Sequence, residues 1–152
     1  MLKSLMRTDD DAGMLIVRLA LGIVMFPHGA QKLLGWFGGH GFAATMKEMT
    51  GMGLPAVVVV LVILIELFGA LSLILGFLGR VGAFGILCVM VGAIFTVHLP
   101  NGFFMNWAGN QKGEGFEYHL LAIGMALAVL VRGSGRWSID RRMSERPRGY
   151  RM

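Results

Sequence analysis

Long apolar runs, broken by a few ionisable and glycine positions, organise the chain. The longest runs from Ala56 to Leu78, AVVVVLVILIELFGALSLILGFL, and Glu66 is its only charge. At ~1.5 Å per residue such a helix crosses a ~30 Å hydrocarbon layer, so the pattern predicts a membrane span over 56–78. Met14 to Leu34 predicts an earlier span, over 14–34, interrupted by Arg18, Pro27, His28 and Lys32 and therefore polar towards its far end. Val81 to Leu99 predicts a third, over 81–99 and ending in His98. Phe116 to Val131 predicts a shorter fourth, over 116–131, which opens on Glu117, Tyr118 and His119. The expected fold is an all-α integral membrane protein, a bundle of four transmembrane helices.

Only Gly79 and Arg80 lie between the spans 56–78 and 81–99, a tight turn that makes those helices antiparallel neighbours. The other connections, Gly35 to Pro55 and Pro100 to Gly115, are long and glycine-rich. Within them Phe42 to Thr50 predicts a short amphipathic helix, and Phe103, Phe104 and Trp107 read as aromatics at the headgroup level. Gly22 and Gly29, and Gly76, Gly79, Gly82 and Gly85, are spaced for close helix packing in lipid rather than for a phosphate loop.

Composition supports the membrane reading: of 152 residues, 55% are hydrophobic and 15% charged, with a mean hydropathy of +0.67. The net charge of +5 is confined to one end. Residues 132–152 hold seven arginines against Asp140 and Glu145, so the first 131 residues are neutral. A basic tail beside a hydrophobic span suits an anionic lipid surface and argues against a nucleic-acid binder, which needs its charge on a folded face. The division expected is a four-span domain over 1–140 and a basic cytoplasmic tail over 141–152. Lys3, Arg7, Arg80 and the tail arginines share one side, with Lys47 and Lys112 on the other, which predicts cytoplasmic N and C termini and outward-facing long loops. The localisation expected is a bacterial inner membrane. Asp9, Asp10 and Asp11 precede the first apolar run and no small-residue cleavage site follows it, so that run reads as part of the mature protein. The lone Cys88 excludes an internal cysteine-pair relay and reads as a small core hydrophobe.

An ionisable group in a span is costly unless it is paired or faces a wet cavity. Here these are Arg18, His28, Lys32, Glu66, His98, Glu117 and His119. Helix rise puts His28 and Glu66 at similar depth, and Lys32 stands one turn above His28 on nearly the same face. All four helices thus bring a polar group to the outer mouth. One reading is structural: Glu66 neutralises Arg18 or Lys32, and the histidines sit at a wet interface. A second is a redox-active small-molecule site, quinone-like, with histidines bonding a carbonyl, Lys32 stabilising negative charge and Glu66 carrying a proton. A third is a metal ion on His28, His98, His119 and a carboxylate, without a tight spacing signature. Catalytic roles fall on Glu66, Lys32 and His28, and substrate binding on His98, His119 and Glu117. Arg18, Arg80 and Asp140 are expected as structural charge partners, Arg18 for Glu66; Trp137, Ser138 and Asp140 are expected to cap the inner end of the bundle, with Asp140 accepting a hydrogen bond or pairing with Arg136 or Arg80.

The segments RLALGIVMFPHGAQKLLGWFGG and IELFGALSLILGFLGRVGA, the span end at His98 and the closing GSGRWSIDRR resemble the DoxX family of small four-helix bacterial membrane proteins. The resemblance covers Gly13 to Asp140 and carries the family pattern onto His28, Gly29, Lys32, Glu66, Gly69, Gly76, Arg80, His98, Gly133, Gly135, Ser138 and Asp140. It implies association with quinone-linked sulfur oxidation, with oxidoreductases of quinone and catechol stress responses, and with membrane complexes against oxidative stress. The partners expected are the lipid bilayer, a quinone, a soluble redox protein and further copies of the chain. A non-catalytic scaffold that holds soluble redox enzymes through the basic tail is the competing expectation.

Overall fold

The computed structural model describes residues 2–144, with side chains from Ser4 onwards. All regular structure among them is helical. The tail expected over 141–152 lies outside the described residues from 145 on. After a single turn at Leu2–Leu5 come α1 (Ala12–Leu34), α2 (Gly41–Gly51), α3 (Ala56–Leu75), α4 (Gly79–Asn101), α5 (Glu117–Arg132) and α6 (Ile139–Ser144). Three of these, α1, α3 and α4, are long and apolar enough to cross a membrane. At 16 residues α5 is shorter than they are, and it packs along α4 and α1.

Local chemistry sets the helix limits. Asp11 caps α1 by accepting from the N–H groups of Gly13 (2.8 Å) and Met14 (3.2 Å). Helix α3 stops at Leu75, short of the expected Leu78, because Gly76 turns left-handed at φ +63°. The N–H of Phe77 then closes on Ser72 O (3.0 Å) and that of Gly76 on Leu73 O (3.1 Å), a Schellman ending. The predicted helix 42–50 is found as α2.

Two π-helical turns interrupt the long helices, Ile65–Gly69 in α3 and Ile94–His98 in α4. The first carries Glu66 and the second ends on His98. A π turn adds a residue to the helical repeat, shifts the side chains beyond it around the axis, and recurs at functional sites.

Small residues let the helices meet. A Cβ on Gly29 would lie 2.4 Å from Leu67 N, and one on Gly22 3.0 Å from Ala70 O. On α4, a Cβ on Gly82 would lie 2.9 Å from Gly69 O. The packing role expected of these glycines is therefore met by backbone approach between α1, α3 and α4. The core behind them is Leu21, Met25, Ala70, Leu73, Ile86, Ala122 and Ala126. Ile16, Val57, Phe95, Leu121 and Val131 are each at least 68% exposed, the apolar outer belt of a protein whose solvent is lipid.

One pole of the bundle is closed by residues 133–144. Asp140 accepts from the N–H groups of Leu78 (2.7 Å) and Gly79 (3.0 Å) and from Ser134 Oγ (2.6 Å). It caps α4 and holds Leu78 in its left-handed conformation at φ +52°. Arg18 is 2% exposed, and its guanidinium donates to the carbonyls of Leu73 (2.7 Å), Ile74 (2.6 Å), Arg136 (3.4 Å) and Trp137 (3.2 Å). Arg80 donates to the carbonyls of Leu130, Val131 and Arg7. Asp140 thus accepts hydrogen bonds and caps this pole, as expected, while the charge pairs expected of Arg18 and Arg80 are replaced by bonds to carbonyls, which helix ends and turns at this pole offer with no other partner. On the outside Asp10 pairs with Arg136 (2.7 Å) and Arg141, and Asp11 with Arg132 (3.1 Å). A hydrogen bond from Arg136 leads in holding the Asp10 carboxyl below its ordinary value; desolvation opposes it, and Arg141 adds to the lowering.

Candidate functional site

At the opposite pole the helices enclose a cavity of about 740 Å³, within the range that takes a drug-sized ligand. Its walls are mostly apolar side chains of α3 and α4, and its polar groups come from α1 to α5 and from the connections at His40 and Glu114. His28 and Lys32 enter from α1, Glu66 from the π turn of α3, His98 from the π turn of α4, and Tyr118 and His119 from the first turn of α5. The convergence of four helices read from the sequence is found here.

Lys32 Nζ lies 2.6 Å from Glu66 Oε2, with the glutamate side chain 6% exposed and the lysine 27%. Lys32, not Arg18, is the partner of Glu66. Arg18 lies at the other pole, fourteen positions earlier on α1, which is ~21 Å along a helix. The close passage of α1 and α3 at Gly29 and Leu67 puts Lys32 and Glu66 level with one another.

The rings of His98 and His119 stand 4.1 Å apart between centroids, tilted by 44°. His98 Nδ1 is 2.8 Å from the carbonyl of Glu114. A carbonyl can only accept, so this network assigns the hydrogen to Nδ1 and leaves Nε2 of neutral His98 as an acceptor. His119 is buried, and its Nδ1 has no hydrogen-bond partner. His28 lies 6.2 Å from the ring of Tyr118, whose hydroxyl donates to Met25 Sδ at 3.3 Å. The described residues contain no group of three or more His, Cys, Asp or Glu side chains placed to share a metal ion.

Two residues sit differently from expectation. Glu117 does not line the cavity; its Oε1 accepts from Met105 N–H (2.9 Å) and Trp107 Nε1 (3.1 Å) and so ties down the 102–116 connection. At the start of a helix a carboxylate finds unpaired N–H groups of the incoming loop closer than any ligand. Cys88 is exposed and lines the cavity rather than filling the core, because α3 and α4 stand apart at its height. Tyr118 and the polar members of α2, Thr45 and Glu48, also line the cavity and were not singled out from the sequence. Tyr118 could have been found from its place beside His119, whereas nothing in the sequence shows that α2 folds back over the bundle.

The family model described as DoxX matches residues 13–99. The inner membrane protein YqjF of Escherichia coli (strain K12) is 30% identical, over 93% of this chain and 99% of its own. The "Putative oxidoreductase CatD" of Bacillus subtilis (strain 168) is 30% identical over 82% of this chain and 83% of its own. The uncharacterized membrane protein Rv3486 of Mycobacterium tuberculosis is 29% identical over 93% and 88%. No solved structure matches the chain. Together with the three apolar helices, these relatives make it a multi-pass bacterial membrane protein.

Proposed function

The chain belongs to the DoxX family, and on that premise we propose that it is a quinone-linked oxidoreductase of the bacterial inner membrane, or the membrane subunit of one. The observation that carries this reading is the apolar cavity into which an ammonium–carboxylate pair and two adjacent imidazoles converge. The CatD relative, whose name reads "Putative oxidoreductase", supports the same class of chemistry.

A quinone, when bound, supplies reversible uptake of two electrons and two protons. Lys32 would stabilise negative charge on a ring oxygen, since only one of its three N–H donors is needed for Glu66. Glu66 would exchange the proton, with Lys32 holding its carboxylate in place. His98 would accept from a ligand hydroxyl through Nε2, while His119 and His28 line the same space. In this reading α5 is the fourth span, residues 1–140 form one domain, and the lysine and arginine distribution sets the termini in the cytoplasm with the cavity near the outer face.

The test is equilibrium binding of menadione to purified protein in nanodiscs, with quinone extraction from the protein as isolated. Wild type should bind, and Glu66→Gln and His98→Ala should each weaken binding about tenfold while remaining folded. Wild-type affinity in both variants, or a wild type that neither binds menadione nor carries or binds a tailed quinone, overturns the reading.

A further inference from the structure

The cavity has a second feature that concerns how its ligand arrives. The halves of α3 and α4 nearest the turn at Gly76 pack tightly, with Gly85 against Ile65 and Gly82 against Gly69. Beyond the π turn, the Ala56–Leu64 half of α3 finds its principal partners in α1 and α2 instead. A gap between α3 and α4 results, and it opens into the cavity. Val58 and Leu61 form one rim, at 40% and 51% exposure.

The other rim is Cys88, Gly92 and Thr96, which at intervals of four share one face of α4. All three are exposed. A Cβ on Gly92 would meet no atom within 4 Å. Thr96 Oγ1 donates to its own helix at Gly92 O (2.9 Å), so its one polar atom is already satisfied. Cys88 is nine residues beyond the start of α4, ~14 Å along the axis and so near mid-membrane depth.

Towards the pole the cavity is roofed by Thr45, Glu48 and Met49 of α2 and by Met105 and Glu114 of the 102–116 connection. A water-borne ligand entering there meets that roof. One entering between the helices meets an apolar slot with small residues on one side, and then the buried charge pair and the histidines.

We infer that the slot between Val58–Leu61 and Cys88–Gly92–Thr96 is a lateral portal. It admits an amphiphile with a polar ring and a polyisoprenoid tail from the bilayer, and the tail stays in the slot. This rests on the quinone reading of the cavity and names the substrate class within it: tailed, membrane-dissolved quinones rather than their water-soluble ring analogues. The buried His119, whose Nδ1 lacks a partner, and the Lys32–Glu66 pair receive the head group.

The experiment compares a polyprenyl-tailed naphthoquinone with tailless menadione in nanodiscs, on wild type, Gly92→Leu and Gly124→Leu. Gly124 is a control for added bulk, since it too has open space around its Cβ and does not line the cavity. Leucine is the better helix former at both sites, so both variants should fold, as circular dichroism would verify. Wild type should bind the tailed probe more tightly. Gly92→Leu should lose about tenfold or more for that probe and about twofold or less for menadione, with Gly124→Leu unchanged. Undiminished binding of the tailed probe by Gly92→Leu, with menadione still bound, overturns the portal and leaves the site reading standing. Failure of wild type to bind either probe overturns the site reading and the portal with it.

Discussion

Replacing Lys32 by methionine isolates the energetics of the ion pair at the cavity. The pair is close, at 2.6 Å, and asymmetric, with Glu66 6% exposed and Lys32 27%. Removing one partner of a buried pair costs ~3–5 kcal/mol because the other charge stays buried. Lys32 keeps about a quarter of its surface in solvent, so we discount this to about 2–3 kcal/mol for Lys32→Met. That is roughly 30- to 150-fold in the unfolding equilibrium. Glu66→Gln should cost less, about 1 kcal/mol, because the lysine left behind reaches solvent on its flexible stem. The double variant should recover most of the loss, falling near Glu66→Gln alone, since no charge is then stranded. Reversible unfolding in mixed micelles, followed by far-ultraviolet circular dichroism, measures all four proteins. A Lys32→Met protein within about 0.5 kcal/mol of wild type, or a double variant as unstable as Lys32→Met, would refute the reasoning.

Further outcomes follow from other contacts. Gly29→Ala places a methyl 2.4 Å from Leu67 N, where backbone must move. It should destabilise by ~1–3 kcal/mol in the same assay, whereas Gly124→Ala, in open space, should gain up to ~1 kcal/mol. Asp140→Ala strands the N–H groups of Leu78 and Gly79 and should lower stability by ~2–4 kcal/mol, with Asp140→Asn in between; equal stability of Ala and wild type would remove the cap from the account. Asp10 has its carboxyl held low in the folded state, chiefly by Arg136. Its contribution is therefore present above the unfolded value of ~3.9 and is lost as pH falls through the folded one. The melting temperatures of wild type and Asp10→Asn should differ above about pH 5, draw together as pH falls below about 4, and converge also in high salt. A difference constant across that range would contradict the assignment.

How much of this was legible in the chain varies with the kind of force involved. The spans over 14–34, 56–78 and 81–99 follow from apolar length, which a bilayer enforces almost alone, and α1, α3 and α4 match them closely. The meeting of His28, Lys32, Glu66, His98 and His119 around one space followed from helix rise and direction of travel. The partners of Arg18 and Arg80 did not, because they are carbonyls of the backbone, and backbone groups carry no residue code. The two π turns were equally hidden. Neither contains proline, and periodicity counted at 3.6 residues cannot register one extra residue. The exposure of Cys88 is a consequence of the separation between α3 and α4, a tertiary fact. Glu117 was read by type, and the neighbouring loop claimed it first.

The arginine sealed into the closed pole also imposes an order on biosynthesis. Arg18 is held by carbonyls of Leu73 and Ile74, and of Arg136 and Trp137, the last pair 118 and 119 positions downstream. On a ribosome the cation therefore emerges long before half of its acceptors exist. The carbonyls of Leu73 and Ile74 come first, and the site around the guanidinium is complete only when the final segment folds beneath it. A chain halted before residue 136 would leave that guanidinium with the carbonyls of Leu73 and Ile74 and without its other two acceptors.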